Sequence, residues 1–583
     1  MEDRSFAVQD TFLLNGQPFQ IISGAIHYFR VVPEYWLDRL EKLKAMGCNT
    51  VETYIPWNLH EPRKGTFCFE GLADVIRFVR LAQGLGLYVI LRPSPYICAE
   101  WELGGLPAWL LAEDGMRLRT ACPAFQAHVA DYYRVLMDRL APLQITRGGP
   151  VILMQLENEY GSYADDKEYL RWLRDLTREL GIDVPLVSAD GASLECLKGG
   201  AVEGVAPTLT FGSRAEERLA LLRARGWNGP LMCMEFWVGW FDYWGNGGHA
   251  AGDLEQSVQD LDKLLELGHV NLYMFEGGTS FGFMNGSNYY DRLTPDVTSY
   301  DYDAVLTEDG QITEKYRRYR EVIAKYRPIP EAPLSAAPRR RAYGTLPVRE
   351  RVGLFQVLDL LSAPVRSTHT RSMERLGQSY GYILYRSVLT AQDSLRLLRL
   401  CGANDRAQVF ADGRPVVTLY DRELLEEREL DLPVSNGTEL DILVENMGRV
   451  NFGHRLEEQR KGIDQGVLIN RHWHTQWDQY PLPLDNIGLL DFSRGYQEGL
   501  PAFYCLTFTA QELGDTFLDL SGWGKGCAFI NGFNLGRFWD IGPQRRLYVP
   551  APLLRRGENE IILFETEGRA AGQAALLDQP DLG

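Results

Sequence analysis

Two glutamates stand where acid chemistry could be done. Glu159 lies in Gln155-Leu156-Glu157-Asn158-Glu159-Tyr160-Gly161, and Glu235 in Leu231-Met232-Cys233-Met234-Glu235-Phe236-Trp237. Each follows a short apolar run, Val151–Leu156 and Leu231–Met234, that reads as a buried parallel strand. If both strands belong to one parallel barrel, both acids emerge at its C-terminal end, where such barrels place their chemistry. A proton donor and a nucleophile facing each other across a cleft are what cleavage of a glycosidic bond requires. Asn158, beside Glu159, could hydrogen-bond a sugar hydroxyl next to the reacting carbon. The plain alternative is that Glu157 and Glu159 are a pair of exposed loop acids. Glu235 is followed by Phe236, Trp237 and Trp240, platforms for the apolar faces of a sugar ring. Its plain alternative is a buried acid paired with an arginine; Arg30 and Arg92 lie at strand ends and could supply the partner.

Three further segments are rich in polar and aromatic residues at strand ends. Arg92–Pro107 contains Cys98-Ala99-Glu100; the Glu100 carboxylate and the backbone of Cys98 and Ala99 could meet hydroxyl groups. Cys98 has no His/Asn set that would make it a nucleophile. Thr53–Pro62 places Tyr54 and Trp57 after the second strand, and Ser299–Asp303 places Tyr300 and Tyr302 after the eighth. For any one of these tyrosines core packing is an equal reading. His27, His60, His472 and His474 form no compact ligand set, so no metal is expected.

Positioning these residues falls to two kinds of element. Up to about residue 325, strand-like and helix-like segments alternate. The strands are Phe19–Ser23, Thr50–Ile55, Tyr88–Arg92, Val151–Leu156, Pro185–Ser188, Thr208–Phe211, Leu231–Glu235 and Leu272–Phe275. Amphipathic stretches at Tyr35–Met46, Ala73–Leu85 and Phe125–Leu140 lie between them. Eight strands alternating with helices predict a (β/α)8 TIM barrel over 1–328; a doubly wound sheet would show an early glycine-rich phosphate turn, and none is seen. The prolines of Tyr326–Pro333 and the basic run Pro338-Arg339-Arg340-Arg341 read as a solvated linker.

Beyond 340, short alternating runs separated by Asp412-Gly413 and Asn531-Gly532 turns are an all-β signature. Val409–Gly413 resembles Phe529–Gly532, and Asn436–Glu445 resembles Arg556–Glu565, at offsets of about 120 residues. The repeat predicts two jelly-roll-like β-sandwich domains, over 340–480 and 481–583, with Arg471–Leu484 as the crossover. The fold class is thus α/β plus all-β. The sandwiches could bind carbohydrate, but shaping the barrel's rim and a homodimer interface is the plainer role.

The chain has 583 residues, about two to four domains' worth. Its 45% hydrophobic and 24% charged content is that of a soluble globular protein. A formal charge of −18 argues against nucleic-acid and anionic-membrane partners. The nine cysteines are scattered without a CxxC pair and read as free thiols of a reducing compartment. No signal peptide or membrane-spanning run is visible, and a cytoplasmic location is expected.

Gln155–Tyr160 as QLENEY, Tyr96–Trp109 as YICAEWELGGLPAW, Thr53–Pro62 as TYIPWNLHEP, and Thr298–Asp303 as TSYDYD resemble the β-galactosidases of glycoside hydrolase family 35. Trp523–Trp539, as WGKGCAFINGFNLGRFW, resembles the family's C-terminal β-domain. The resemblance runs along essentially the whole chain. It implies that Glu159 is the acid/base, in preference to Glu157, and that Glu235 is the nucleophile. Galactose contacts are implied at Tyr54, Ala99, Glu100, Asn158, Trp240 and Tyr302. Trp237 and Phe452 stand where relatives often have tyrosine, which bears on linkage preference. The implied activity is a retaining exo-β-galactosidase on oligosaccharides, preferring β-1,3 linkages and using no cofactor, with carboxyls roughly 5 Å apart. The alternatives are an exo-β-glucosaminidase using the same acids and an inactive carbohydrate-binding protein.

Overall fold

The computed structural model describes residues 4–329, 339–390 and 393–583. Eight parallel strands close into a barrel: β1 (Ile22–Ile26), β2 (Thr50–Tyr54), β3 (Tyr88–Arg92), β4 (Val151–Gln155), β5 (Leu186–Gly191), β6 (Ala206–Phe211), β7 (Met232–Trp237) and β8 (His269–Glu276). Helices cover the outside and side chains fill the inside, so the strands are buried on both faces, with polar residues such as Glu52 of β2 and Asn271 of β8 bonded to one another inside. β4 and β8 are buried along their whole length. The expected strands are these eight, with the first displaced toward the C-terminus. The side chain of Gln20 donates at 2.8 Å to the carbonyls of Leu265 and Gly268, which anchors this end of the chain below the barrel.

The three expected helices run over Trp36–Met46, Val75–Gly84 and Pro123–Leu140. Trp36–Met46 ends at Gly47, whose φ of 112° is open to glycine and whose N–H caps the carbonyls of Leu43 and Lys44. No helix among the described residues is long and apolar enough to cross a membrane. Most of the expected linker, 330–338, lies outside the described residues. Of its basic run, Arg340 forms a two-pronged pair with Asp309 at 2.6 and 2.9 Å instead of lying free in solvent.

The rest is all-β. Its principal strands are β9 (Gly344–Gly353), β10 (Tyr382–Val388), β11 (Arg406–Ala411), β12 (Arg414–Tyr420), β13 (Glu439–Glu445), β14 (Ala502–Ala510), β15 (Lys525–Ile530), β16 (Phe533–Trp539), β17 (Gly557–Glu565) and β18 (Gln573–Leu577). The repeat appears as topology: the order β10-β13-β11-β12 in a six-stranded sheet recurs as β14-β17-β15-β16 in an eight-stranded one. A four-stranded sheet covers the inner face of the first copy around Ile383, Val409 and Ile442. The second copy folds over its own core of Tyr504, Ile530 and Leu563. Between the two copies lies a third apolar layer, with Tyr382, Phe410 and Leu443 meeting Phe503, Phe529 and Phe564.

Sequence and space part company twice. β9, placed by the sequence reading within 340–480, pairs with β14 and β18 in the sheet of the last module. Residues 120 apart also face opposite sides: Ile442 enters the first module's core, whereas Ile562 enters the shared layer. A strand has period two, so a one-residue difference in alignment exchanges its faces. The turn copies are 119 apart and keep their face; Phe410 and Phe529 both lie in the shared layer.

Candidate active site

The C-terminal ends of the barrel strands converge on a cavity of about 170 Å³. Tyr54, Ala99, Glu100, Asn158, Glu159, Glu235, Trp237, Trp240 and Tyr302 all line it. Cys98, Phe241, Tyr273, Asn288, Tyr290 and Phe452 complete the wall.

Glu235 is in β7 and only 6% exposed. The Tyr54 hydroxyl lies 2.5 Å from its Oε1, and Arg92 Nη2 donates to the same oxygen at 2.6 Å. Oε2 has one longer contact, from Trp237 Nε1 at 3.3 Å. One carboxylate oxygen is therefore pinned by two short bonds, while the other has only the longer contact. Arg92 also donates through Nε to Gln155 and through Nη2 to Asn158 Oδ1, at 2.6 and 2.8 Å. Of the two arginines read as partners for this acid, Arg92 makes the contact. Arg30 turns away: it donates to the Ala99 carbonyl at 2.6 Å and stacks 3.8 Å from the Tyr300 ring.

Glu159 follows β4 and caps the short helix Tyr160–Tyr163 with a left-handed φ of 45°. Thr210 Oγ1 donates to its Oε1 at 2.8 Å. Burial, reinforced by the charge of Glu235, pushes its carboxyl up to about 8. Glu157, the competing acid, is turned into the protein. Arg119 donates to it twice, at 3.1 and 2.9 Å, and Tyr169 donates at 2.9 Å. It is a buried, paired acid, not an exposed loop acid, and it does not line the cavity. Asn158, between them, accepts from Arg92 and Gln155, so its orientation is fixed by the network that holds Glu235.

The loop after β3 carries successive left-handed residues, Cys98, Ala99 and Glu100, with φ of 58°, 57° and 48°. Each costs on the order of 1 kcal/mol and needs outside support. Support comes from Arg30 on the Ala99 carbonyl and from the Gly286 N–H on the Glu100 carbonyl at 2.9 Å. The Tyr300 hydroxyl donates to Glu100 Oε2, and burial pushes the Glu100 carboxyl up to about 7. Tyr300 thus stands behind the wall and Tyr302 in it. Trp57 is core, stacked on Tyr132, with its indole N–H on Glu61.

Sequence reasoning did not find Asn288, Tyr290, Tyr273 or Phe241. Tyr273 is in β8, and Phe241 directly follows the Trp240 that was named. Asn288 and Tyr290 belong to a hairpin, Ser287–Tyr289 with Leu293–Pro295, whose placement depends on the β-region. Ser287 Oγ donates to the Gly448 carbonyl, and Asn285 donates to that of Met447. The same β-region segment delivers Phe452, 42% exposed, to the cavity wall that also holds Trp240, 46% exposed. Among the described residues no group of three or more His, Cys, Asp or Glu side chains could hold a metal ion.

Family comparison agrees with this construction. Residues 11–326 match the model of glycosyl hydrolases family 35. Residues 371–483 and 501–559 match the β-galactosidase first all-β domain and the β-galactosidase galactose-binding domain. The chain is 42% identical to human beta-galactosidase-1-like protein 2, covering 98% of this chain and 91% of the relative. It is 41% identical to a beta-galactosidase of Xanthomonas manihotis, over 94% and 91%. Human beta-galactosidase is also 41% identical, over 96% and 86%. With two acids at the C-terminal mouth of a barrel and kinship along nearly its full length, the chain belongs to glycosyl hydrolases family 35 and is a glycoside hydrolase of the β-galactosidase type.

Proposed function

We propose that the protein is a retaining exo-β-galactosidase that removes terminal, non-reducing β-linked galactose from oligosaccharides, with preference for β-1,3 linkages. Glu235 attacks the anomeric carbon through Oε2, the oxygen less committed to donors. Glu159 gives its proton to the departing glycosidic oxygen, so the C1–O bond breaks as the Glu235 ester forms. Glu159 then takes a proton from water, whose oxygen attacks C1, and the bonding pair returns to Glu235. Tyr54, Ala99, Glu100 and Asn158 contact the galactose. Trp237, Trp240 and Tyr302 form the aromatic wall, and the exposed faces of Trp240 and Phe452 meet the leaving sugar.

The observation that carries this reading is the contrast between the acids. Among the described residues Glu235 is held by two short hydrogen bonds, while Glu159 has a single hydroxyl donor and a carboxyl raised to about 8. This contrast in hydrogen bonding supports reading Glu235 as the nucleophile and Glu159 as the acid.

The test is hydrolysis of a panel of p-nitrophenyl β-glycosides by wild type and Glu235→Gln, followed by galactosyl-β-1,3- and β-1,4-linked disaccharides. Expected is release from the galactoside with retention of configuration, a rate at least about 1,000-fold lower in the variant, and faster cleavage of the β-1,3 disaccharide. Release chiefly from the β-glucosaminide would overturn the sugar assignment. Absence of release from every glycoside would favour a binding protein.

A further inference from the structure

Behind the nucleophile lies a third acid that the scheme above does not use. Glu52, in β2, is fully buried, and so is Arg92 beside it. Arg92 Nη1 and Glu52 Oε1 stand 3.6 Å apart, and among the described residues neither has a hydrogen-bond partner. The other oxygen of Glu52 accepts from Asn271 Nδ2 at 3.1 Å. Arg92 is thus shared unequally: Nη2 is bonded to Glu235 at 2.6 Å, and Nη1 waits just outside bonding distance of Glu52.

This arrangement bears on what happens when Glu235 is consumed. As a carboxylate, Glu235 is the counter-ion of Arg92. As an ester it is neutral, and Glu159, then an anion, makes no ion pair with Arg92 among the described residues, so the buried guanidinium loses its paired carboxylate, which is costly. We propose that Glu52 is a positioning residue that takes over Arg92 as counter-ion while Glu235 is esterified, and so stabilises the covalent galactosyl-enzyme. A small shift of Nη1 toward Oε1 would complete the pair, and no other carboxylate contacts Arg92 among the described residues. The charge bookkeeping agrees. Burial pushes the Glu52 carboxyl up to about 7; Arg92 pulls it down and the charge of Glu235 pushes it up. Ester formation removes that last push, so Glu52 ionises more readily at the stage where Arg92 needs it.

The inference rests on the retaining reading, and its test separates the two. The probe is a 2-deoxy-2-fluoro-β-galactoside with a dinitrophenolate leaving group, which accumulates the ester. Trapping rate and reactivation rate are measured for wild type, Glu52→Gln and Glu52→Asp, with the label located by mass spectrometry. In Glu52→Gln the ester loses its counter-ion while the free Glu235 carboxylate gains undivided use of Arg92. Trapping should therefore slow, and reactivation accelerate, each by roughly tenfold. Glu52→Asp should restore part of both. Only folded sites take the label, so a partly unfolded variant still reports its reactivation rate. Equal losses in both rates, or wild-type values for both, would overturn the role of Glu52. Failure of wild type to form an adduct on Glu235 would overturn the retaining mechanism instead.

Discussion

At the scale of single residues, the site is set by which oxygen atoms are spoken for. In the proposed mechanism Glu159 must hold its proton to act first, and its protonated fraction falls as pH rises through about 8. The kcat/KM profile should accordingly descend on the alkaline side near that value. Thr210 donates to the Glu159 carboxylate and so favours the anion. Replacing it with valine removes that stabilisation, raises the pKa and should move the alkaline limb to higher pH, which a pH series on an aryl galactoside will check. An unmoved or lowered limb would mean that another group controls it. Both acids were legible because each follows a recognisable apolar strand. Glu157 and Glu159 could not be separated by spacing alone, since residues two apart share a face in an extended chain. Both share a left-handed φ, 55° and 45°; what separates them is the waiting Arg119, which lies 38 positions from Glu157 and holds it away from the cavity. Arg30 and Arg92 were likewise equivalent on paper. The stacking of Arg30 on Tyr300, a contact across about 270 residues of chain, is what takes it away from the acid.

At the scale of elements, the barrel was readable because several of its buried parallel strands, Val151–Leu156 and Leu231–Met234 above all, write themselves as apolar runs. Loop conformation was not readable: nothing in Cys98-Ala99-Glu100 announces a left-handed run. Its stability depends on close packing at Gly104, where an added Cβ would fall 2.2 Å from the Tyr96 ring. That ring cannot easily yield, since its hydroxyl donates to the Asn451 carbonyl. Gly104→Ala should therefore cost about 2 kcal/mol or more in denaturant unfolding. It should also raise KM by displacing Glu100. A variant with wild-type stability and KM would show that the loop does not need this packing. The β-strands carried a different ambiguity. The repeat was visible as paired turns and paired apolar runs, but face assignment turns on a single residue of offset. The sequence match at Ile442 and Ile562 puts equivalent-looking side chains on opposite sides of their sheets.

At the scale of the whole molecule, the active site is not the property of the barrel alone. Arg449, fully buried in the first β-module, bonds Glu102 of the barrel's third loop and Glu374 of its own module. Arg449→Met would leave both acids buried without their cation, a loss of about 3 kcal/mol or more. Calorimetry should show a lowered unfolding temperature, and activity should fall with it because Glu102 lies two residues from Glu100. Wild-type melting would mean that the two acids find other partners. No local pattern could have placed the hairpin of Asn288 or the side chain of Phe452, because their positions are set by this long-range docking. The strand order of the last sheet adds a constraint of timing. β9 pairs with β18, Gly344 opposite Leu576, so the first strand of that sheet leaves the ribosome about 230 residues before its neighbour does. At ordinary elongation rates that is a wait of roughly 10 to 50 s. During it, the edge that β18 will cover stays open beside a barrel whose residues have all been made, and the newborn chain must keep that edge from other chains until β18 itself is made.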